Sequence, residues 1–263
     1  MTASHLLLSA DPRGVATVTL NRPEVHNAFD DRLIAELTEA LEKLEADKAV
    51  RVVVLAAKGK SFSAGADLNW MKRMAGYTEA ENLADARRLA QLMRTLNGLK
   101  KPTVAVVQGP AYAGGLGLIA CCDIVVCMDS ANFALTETRL GLVPAVIGPY
   151  VVAAIGARAA RRYFLTAERF TAHDALRLGL VHMVVAAAQL KDAAESVVSA
   201  LLACAPGALA AAKEQVALFA GAKIDDALID STARLIARLR AAPEGREGVA
   251  AFLEKRKPSW IKG

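Results

Sequence analysis

An α/β fold is the class this sequence predicts, and three observations carry the prediction. Between residues 14 and 129, short β-branched runs alternate with amphipathic helical stretches. Two of the runs, Val50–Gly59 and Pro102–Gly109, hold continuous apolar stretches of strand length, as strands covered on both faces do. From Val151 to Arg240 the pattern is mostly helical and rich in alanine. At 263 residues the chain can form one large α/β domain with a helical appendage and bury a sizeable core without disulfides.

The elements follow in order. Gly14–Leu20, GVATVTL, alternates and is β-branched, so it reads as a strand, and NRPE ends it with a proline turn. Asp30–Asp47 sets Leu33, Ile34, Leu37, Leu41 and Leu44 at helical spacing with charges opposite, an amphipathic helix. The strand Val50–Gly59 then leads into SFSAGADLNWMKRM, a loop entering a helix, and Ala80–Lys100 is a second long helix. Pro102–Gly109 is another buried strand, AGGLGLIACC a short helix after a glycine turn, and Asp123–Asp129 a further strand. No linker or internal repeat interrupts the chain; a core of about 190 residues gives way to a helical tail.

The 54% hydrophobic content owes much to alanine, which suits close helix packing and surface buried between subunits. A net charge of +5 suits an anionic ligand, but the cations are scattered, with small clusters at Lys58/Lys60, Lys100/Lys101 and Lys255/Arg256/Lys257. Nucleic acid is therefore not the favoured partner. The four cysteines lack metal or disulfide spacing, and a reducing, cytoplasmic setting is expected. The opening MTASHLLLSADPRG does not read as a secretion signal, and the apolar region Thr103–Cys127 is broken by Gln108, Pro110 and Asp123, so no membrane partner is expected.

Two glycine-bearing stretches could carry chemistry: Phe62–Leu68, FSAGADL, and Ala111–Leu118, AYAGGLGL. Each stands where a strand's carboxyl end gives way to a helix, the place where open α/β sheets bind ligands. Glycine permits close backbone approach, and the first amides of a helix are unpaired donors. Two such amides on one oxygen, best supplied by Ala66 and Gly114, would stabilise an enolate by about 3 kcal/mol per donor. Neither stretch is a GxGxxG or GxxxxGK[ST] phosphate loop. Glu137, between a short apolar run and LGLVPAVIG, would be shielded from water, with a raised pKa suited to proton exchange near neutrality. A salt bridge to Arg139 or a neighbouring arginine is the plainer reading of the same residue. No Ser/His/Asp arrangement emerges; His173 and His182 read as structural, and Trp70, Met71 and Met74 as core or pocket wall.

Taken together, LNRPEVHNAF, FSAGADL, AYAGGLGL with CCDIVV, FALTETRLGLVP, FLTAERFTAHDALRLGLV and FLEKRKPSW resemble, in order and spacing, the crotonase superfamily, the enoyl-CoA hydratase/isomerase family. The resemblance covers essentially the whole chain. It implies a ββα spiral core over residues 1–195 and a helical region over 196–263 that assembles trimers or hexamers. It also implies an acyl-CoA thioester substrate whose carbonyl the Ala66 and Gly114 amides polarise, with no cofactor beyond the CoA that the substrate carries. Matching positions further imply substrate contacts at Ala64, Asp67 and Leu68, at His26 near the pantetheine or phosphates, at Gly117, and at Phe252 and Lys255 in a tail that closes over CoA.

In hydratases of this family one glutamate lies three residues beyond the second amide and another in the PE or TE segment. Here the second is Glu137, whereas the first is Gly117. Glu137 could make both proton transfers, the substrate could supply a carboxylate, or the reaction could be other than hydration. The motif set looks most like bacterial methylglutaconyl-CoA hydratases of leucine breakdown, whose substrate carries a distal carboxylate. A Δ3,Δ2-enoyl-CoA isomerase with Glu137 as single proton shuttle is the alternative enzyme, and RNA binding the alternative outside catalysis.

Overall fold

A computed structural model describes residues 4–261. Its main sheet has six strands in the order β1-β2-β3-β4-β6-β9: β1 (Leu6–Ala10), β2 (Val15–Leu20), β3 (Val52–Ala57), β4 (Thr103–Val107), β6 (Ile124–Met128) and β9 (Met183–Val185). β1 and β2 form an antiparallel pair with Leu8 opposite Val18, and every other neighbour is parallel. β3 justifies its unbroken apolar sequence, because Val52 and Val53 point to opposite faces and both are fully buried. Each such side chain contributes about 2 kcal/mol of apolar burial.

One face of the sheet is covered by α1 (Asp31–Ala46), α3 (Glu79–Gly98), α4 (Gly114–Cys121) and α5 (Gly148–Thr166) in the main core. α1 starts where Asp30 accepts from the Leu33 amide at 2.7 Å, and it buries Leu33, Ile34, Leu37 and Leu41. α3 starts with a capping box between Thr78 and Glu81. The other face packs Val15, Val52, Val54 and Val104 against Val198 of α7 (Leu190–Ala203).

A second sheet, order β5-β7-β8, is built from β5 (Ala111–Tyr112), β7 (Asn132–Ala134) and β8 (Phe170–Thr171). Such two- and three-residue strands carry no periodicity, and the sequence reading omits them together with β1 and β9. α2 (Leu68–Met74) and α6 (Ala172–Leu178) connect the layers.

The expected division at 195/196 falls inside α7, whose buried Ala194 and Val198 lie on either side of it. The core therefore runs through α7, and the tail is α8 (Pro206–Phe219), α9 (Asp226–Ala241) and α10 (Pro243–Leu253). Arg51, just before β3, ties this tail down by donating to the carbonyls of Leu202, Cys204 and Trp260. Lys213 of α8 pairs with Asp123, just before β6, at 2.8 Å. The tail thus sits at the amino ends of the parallel strands.

Candidate active site

Three parallel backbone segments converge at the opposite, carboxyl ends. Ser63, beyond β3, bridges Ala111 of β5, and Ala111 pairs in turn with Phe133 of β7. Ala66 and Gly114 each stand three residues past that row and Glu137 stands four past it, so the register delivers two amides and one acid to one edge. Glycines make the approach possible. Gly65, at φ +88°, packs its backbone where a Cβ would lie 3.0 Å from the Ala113 Cβ, and a Cβ on Gly115 would lie 2.7 Å from that of Ser63.

The two amides are free. The Phe29 amide donates to the Gly65 carbonyl at 2.6 Å and the Asp67 amide to the Phe29 carbonyl at 2.8 Å, which fixes the chain on both sides of Ala66 and leaves its own N–H without an acceptor among the described residues. Gly114 is the first residue of α4, where an amide has no partner within the helix. Before it, Ala113 holds φ 47°, ψ −118°, a conformation costly for an L-residue, and its amide donates to Ala134 at 3.0 Å. The ring of Phe29 lies 3.1 Å from where a Gly114 Cβ would be. Phe29 therefore touches the supports of both donors, and two free amides so held can donate hydrogen bonds to a developing oxyanion.

Glu137 opens a single 3-10 turn, Glu137–Leu140. It is half-buried, and its Oε2 is shut off from solvent with no hydrogen-bond partner. Burial pushes its carboxyl above the usual 4.5, against a weaker hydrogen bond from its own amide. No ion pair joins it to Arg139 among the described residues, so the carboxyl stands shielded without a charged partner.

Gly117 is buried one turn into α4, its amide donating to Ala113 at 3.1 Å. The volume a side chain there would need is taken by Ile147, whose Cβ lies 2.8 Å from the position of a Gly117 Cβ and whose γ2 methyl is closer still. Sequence reading finds the missing carboxylate but has no means of finding what replaces it. It also passes over Phe29 and the strained Ala113.

The remaining expected contacts divide. Ala64 and Leu68 are exposed beside Ala66, and the His26 carbonyl accepts from the Ala64 amide at 2.9 Å, so these three share the rim. The His26 Nδ1 lies 3.0 Å from the Ser61 hydroxyl. Asp67 is only 7% exposed, caps α2 through the Asn69 and Trp70 amides and pairs with Arg22 at 3.0 Å. Burial opposes its ionisation, but those amides and the guanidinium hold its carboxyl below the usual range. Its partners are thus inside the protein. Phe252 and Lys255 are not brought to the site within the protomer: Phe252 lies in the last turn of α10 and Lys255 just beyond that helix, at the far ends of the strands, and both are exposed. A cleft between α7 and the sheet holds Asp11 and Glu195, but both pair with Arg13.

The profile of the enoyl-CoA hydratase/isomerase family matches residues 10–263. A 2,3-dehydroadipyl-CoA hydratase from Escherichia coli is 34% identical, over 98% of both chains. An (E)-benzylidenesuccinyl-CoA hydratase from Thauera aromatica is 34% identical over 94% of this chain and 95% of that one. The crystal structure of an enoyl-CoA hydratase from Shewanella pealeana superposes with TM-score 0.94 at 45% identity, covering 97% of this chain and 96% of that one. With its α/β architecture, near-complete coverage and these identities, the chain belongs to the enoyl-CoA hydratase/isomerase family and is an enzyme of the enoyl-CoA hydratase type.

Proposed function

We propose that the chain adds water across the α,β double bond of an enoyl-CoA bearing a distal carboxylate, 3-methylglutaconyl-CoA in leucine breakdown being the substrate its motif set favours. The observation that carries this is the pairing of one shielded, unpartnered carboxyl at Glu137 with an apolar side chain where a second acid would stand. Support for a diacid-derived acyl group comes from the names of two relatives, the dehydroadipyl- and benzylidenesuccinyl-CoA hydratases.

In this reading the thioester oxygen accepts from the Ala66 and Gly114 amides. Glu137 takes a proton from water as the oxygen bonds to the β-carbon, and the π electrons move onto the thioester as an enolate. The protonated Glu137 then returns its proton to the α-carbon, so water is added with no redox change. Ala64, Leu68 and His26 line the rim where the CoA moiety would lie. The reaction needs no cofactor beyond that CoA, and the setting is cytoplasmic. The chain assembles as a homotrimer or a pair of trimers through its tail, on which Val216, Ile224, Phe252 and Leu253 are exposed.

The test is incubation with crotonyl-, 3-methylcrotonyl-, 3-methylglutaconyl- and 3-hexenoyl-CoA, followed by mass and absorbance. Water gained preferentially by 3-methylglutaconyl-CoA supports the proposal. Conversion of 3-hexenoyl-CoA to a conjugated product of unchanged mass, without hydration of the others, would replace it by isomerisation.

A further inference from the structure

Ile147 stands immediately before α5 and is 3% exposed. Its carbonyl accepts from the Tyr150 and Val151 amides, both at 3.1 Å, which anchors it to the first turn of that helix. Its side chain reaches across to α4 and fills the space beside Gly117, with the Met93 methyl 3.4 Å from the same point. A Cβ on a helix leans toward the helix N-terminus, so any side chain at position 117 would project back toward Gly114, whose amide is free. Ile147 therefore forms an apolar wall one turn from that donor, where water and charge have no polar partner.

We propose that Ile147 is a specificity-determining residue: by occupying the volume beside Gly117 it keeps a second acid, and the water such an acid would hold, out of the site. The inference rests on the hydratase reading above. It has two consequences. Position 117 and position 147 are coupled in stability, because a side chain can occupy only one side of their shared space. The site also works with Glu137 alone, so a short enoyl-CoA with no polar group of its own is a poor substrate.

Both consequences are measurable in the purified full-length protein. Gly117→Ala is expected to lower Tm by about 5 °C through overpacking, and Ile147→Ala in the same chain to remove that loss. An unchanged Tm in G117A, or losses that simply add in the double variant, would overturn the packing premise. For the chemistry, G117E/I147A is compared with I147A and with G117Q/I147A, which has the shape without the acid; G117D/I147A serves if the longer side chain prevents folding. The acid-bearing variant is expected to hydrate crotonyl-CoA about 10²-fold faster than I147A, with a second ionisation in its pH profile. A folded acid-bearing variant no faster than I147A, or a glutamine variant equally fast, sinks the proposal. Wild-type protein is assayed in parallel on 3-methylglutaconyl-CoA. Failure there removes the substrate reading while leaving the thermal coupling and the crotonyl-CoA comparison to stand or fall separately.

Discussion

Phe29 fixes Ala66 from both sides: its amide donates to the residue before Ala66 and its carbonyl accepts from the residue after, at 2.6 and 2.8 Å. The same residue lays its ring against Gly114, the first residue of α4, so one buried residue supports both free amides, one through its backbone and the other through its ring. Displacing a catalytic group by about 1 Å costs on the order of 10²-fold in rate. Phe29→Leu, which keeps the backbone bonds and shrinks the ring contact, is therefore expected to lower kcat by about 10- to 100-fold, with a smaller change in KM. Steady-state kinetics on a folded variant checks this; a rise in KM with kcat unchanged would show that Phe29 serves binding alone.

Glu137 is expected to dominate the pH behaviour. Its folded pKa lies above the usual 4.5 because of burial, so the protonated form is favoured in the fold. The stability this group contributes is present below its unfolded pKa and lost as pH rises through the folded one. Glu137→Gln should abolish that contribution to the pH dependence, leaving neutral-pH Tm equal or higher, while kcat falls by about 10²–10⁴-fold. Calorimetry between pH 4 and pH 8 with rate assays decides; an unchanged rate removes Glu137 from the chemistry.

Asp67 acts in the opposite direction. With its folded pKa held low, its contribution is present above the unfolded pKa and lost as pH falls through the folded one. Asp67→Ala removes the α2 cap and one of the two acids facing Arg22, which keeps Asp30 at 3.2 Å. A loss of about 2 kcal/mol in urea unfolding is expected at neutral pH. Little change in stability, together with a large rise in KM for acyl-CoA, would return Asp67 to a binding role.

Arg51 should control the tail. Its guanidinium reaches three carbonyls, those of Leu202, Cys204 and Trp260, which no other residue type of similar length can satisfy together. In Arg51→Met, amide hydrogen exchange is expected to quicken around those three residues, with the strands of the main sheet unaffected. Uniform quickening across the chain would mean that the tie belongs to global stability instead.

Assembly is tested by mass. Light scattering is expected to return three or six times the 27.7 kDa protomer, and Ile224→Asp with Phe252→Asp to shift it toward one. A wild-type monomer at micromolar concentration would leave those exposed side chains without that partner.

By itself, the sequence determined the long elements and singled out the positions proposed to carry the chemistry. The Leu33, Ile34, Leu37 and Leu41 stripe defines α1 because a helix must bury one face, and the unbroken valines of β3 define a strand covered twice. Gly114 and Glu137 stand out because a glycine that permits close backbone approach and an acid set beside apolar runs can be read from residue type. Tertiary structure alone decided what surrounds them. The two- and three-residue strands that align Ala66, Gly114 and Glu137 have no periodicity to read, and their pairing is set by neighbours distant in the chain. Residue 147 lies thirty positions from Gly117, and only close packing of α5 on α4 makes an isoleucine the occupant of a carboxylate's place.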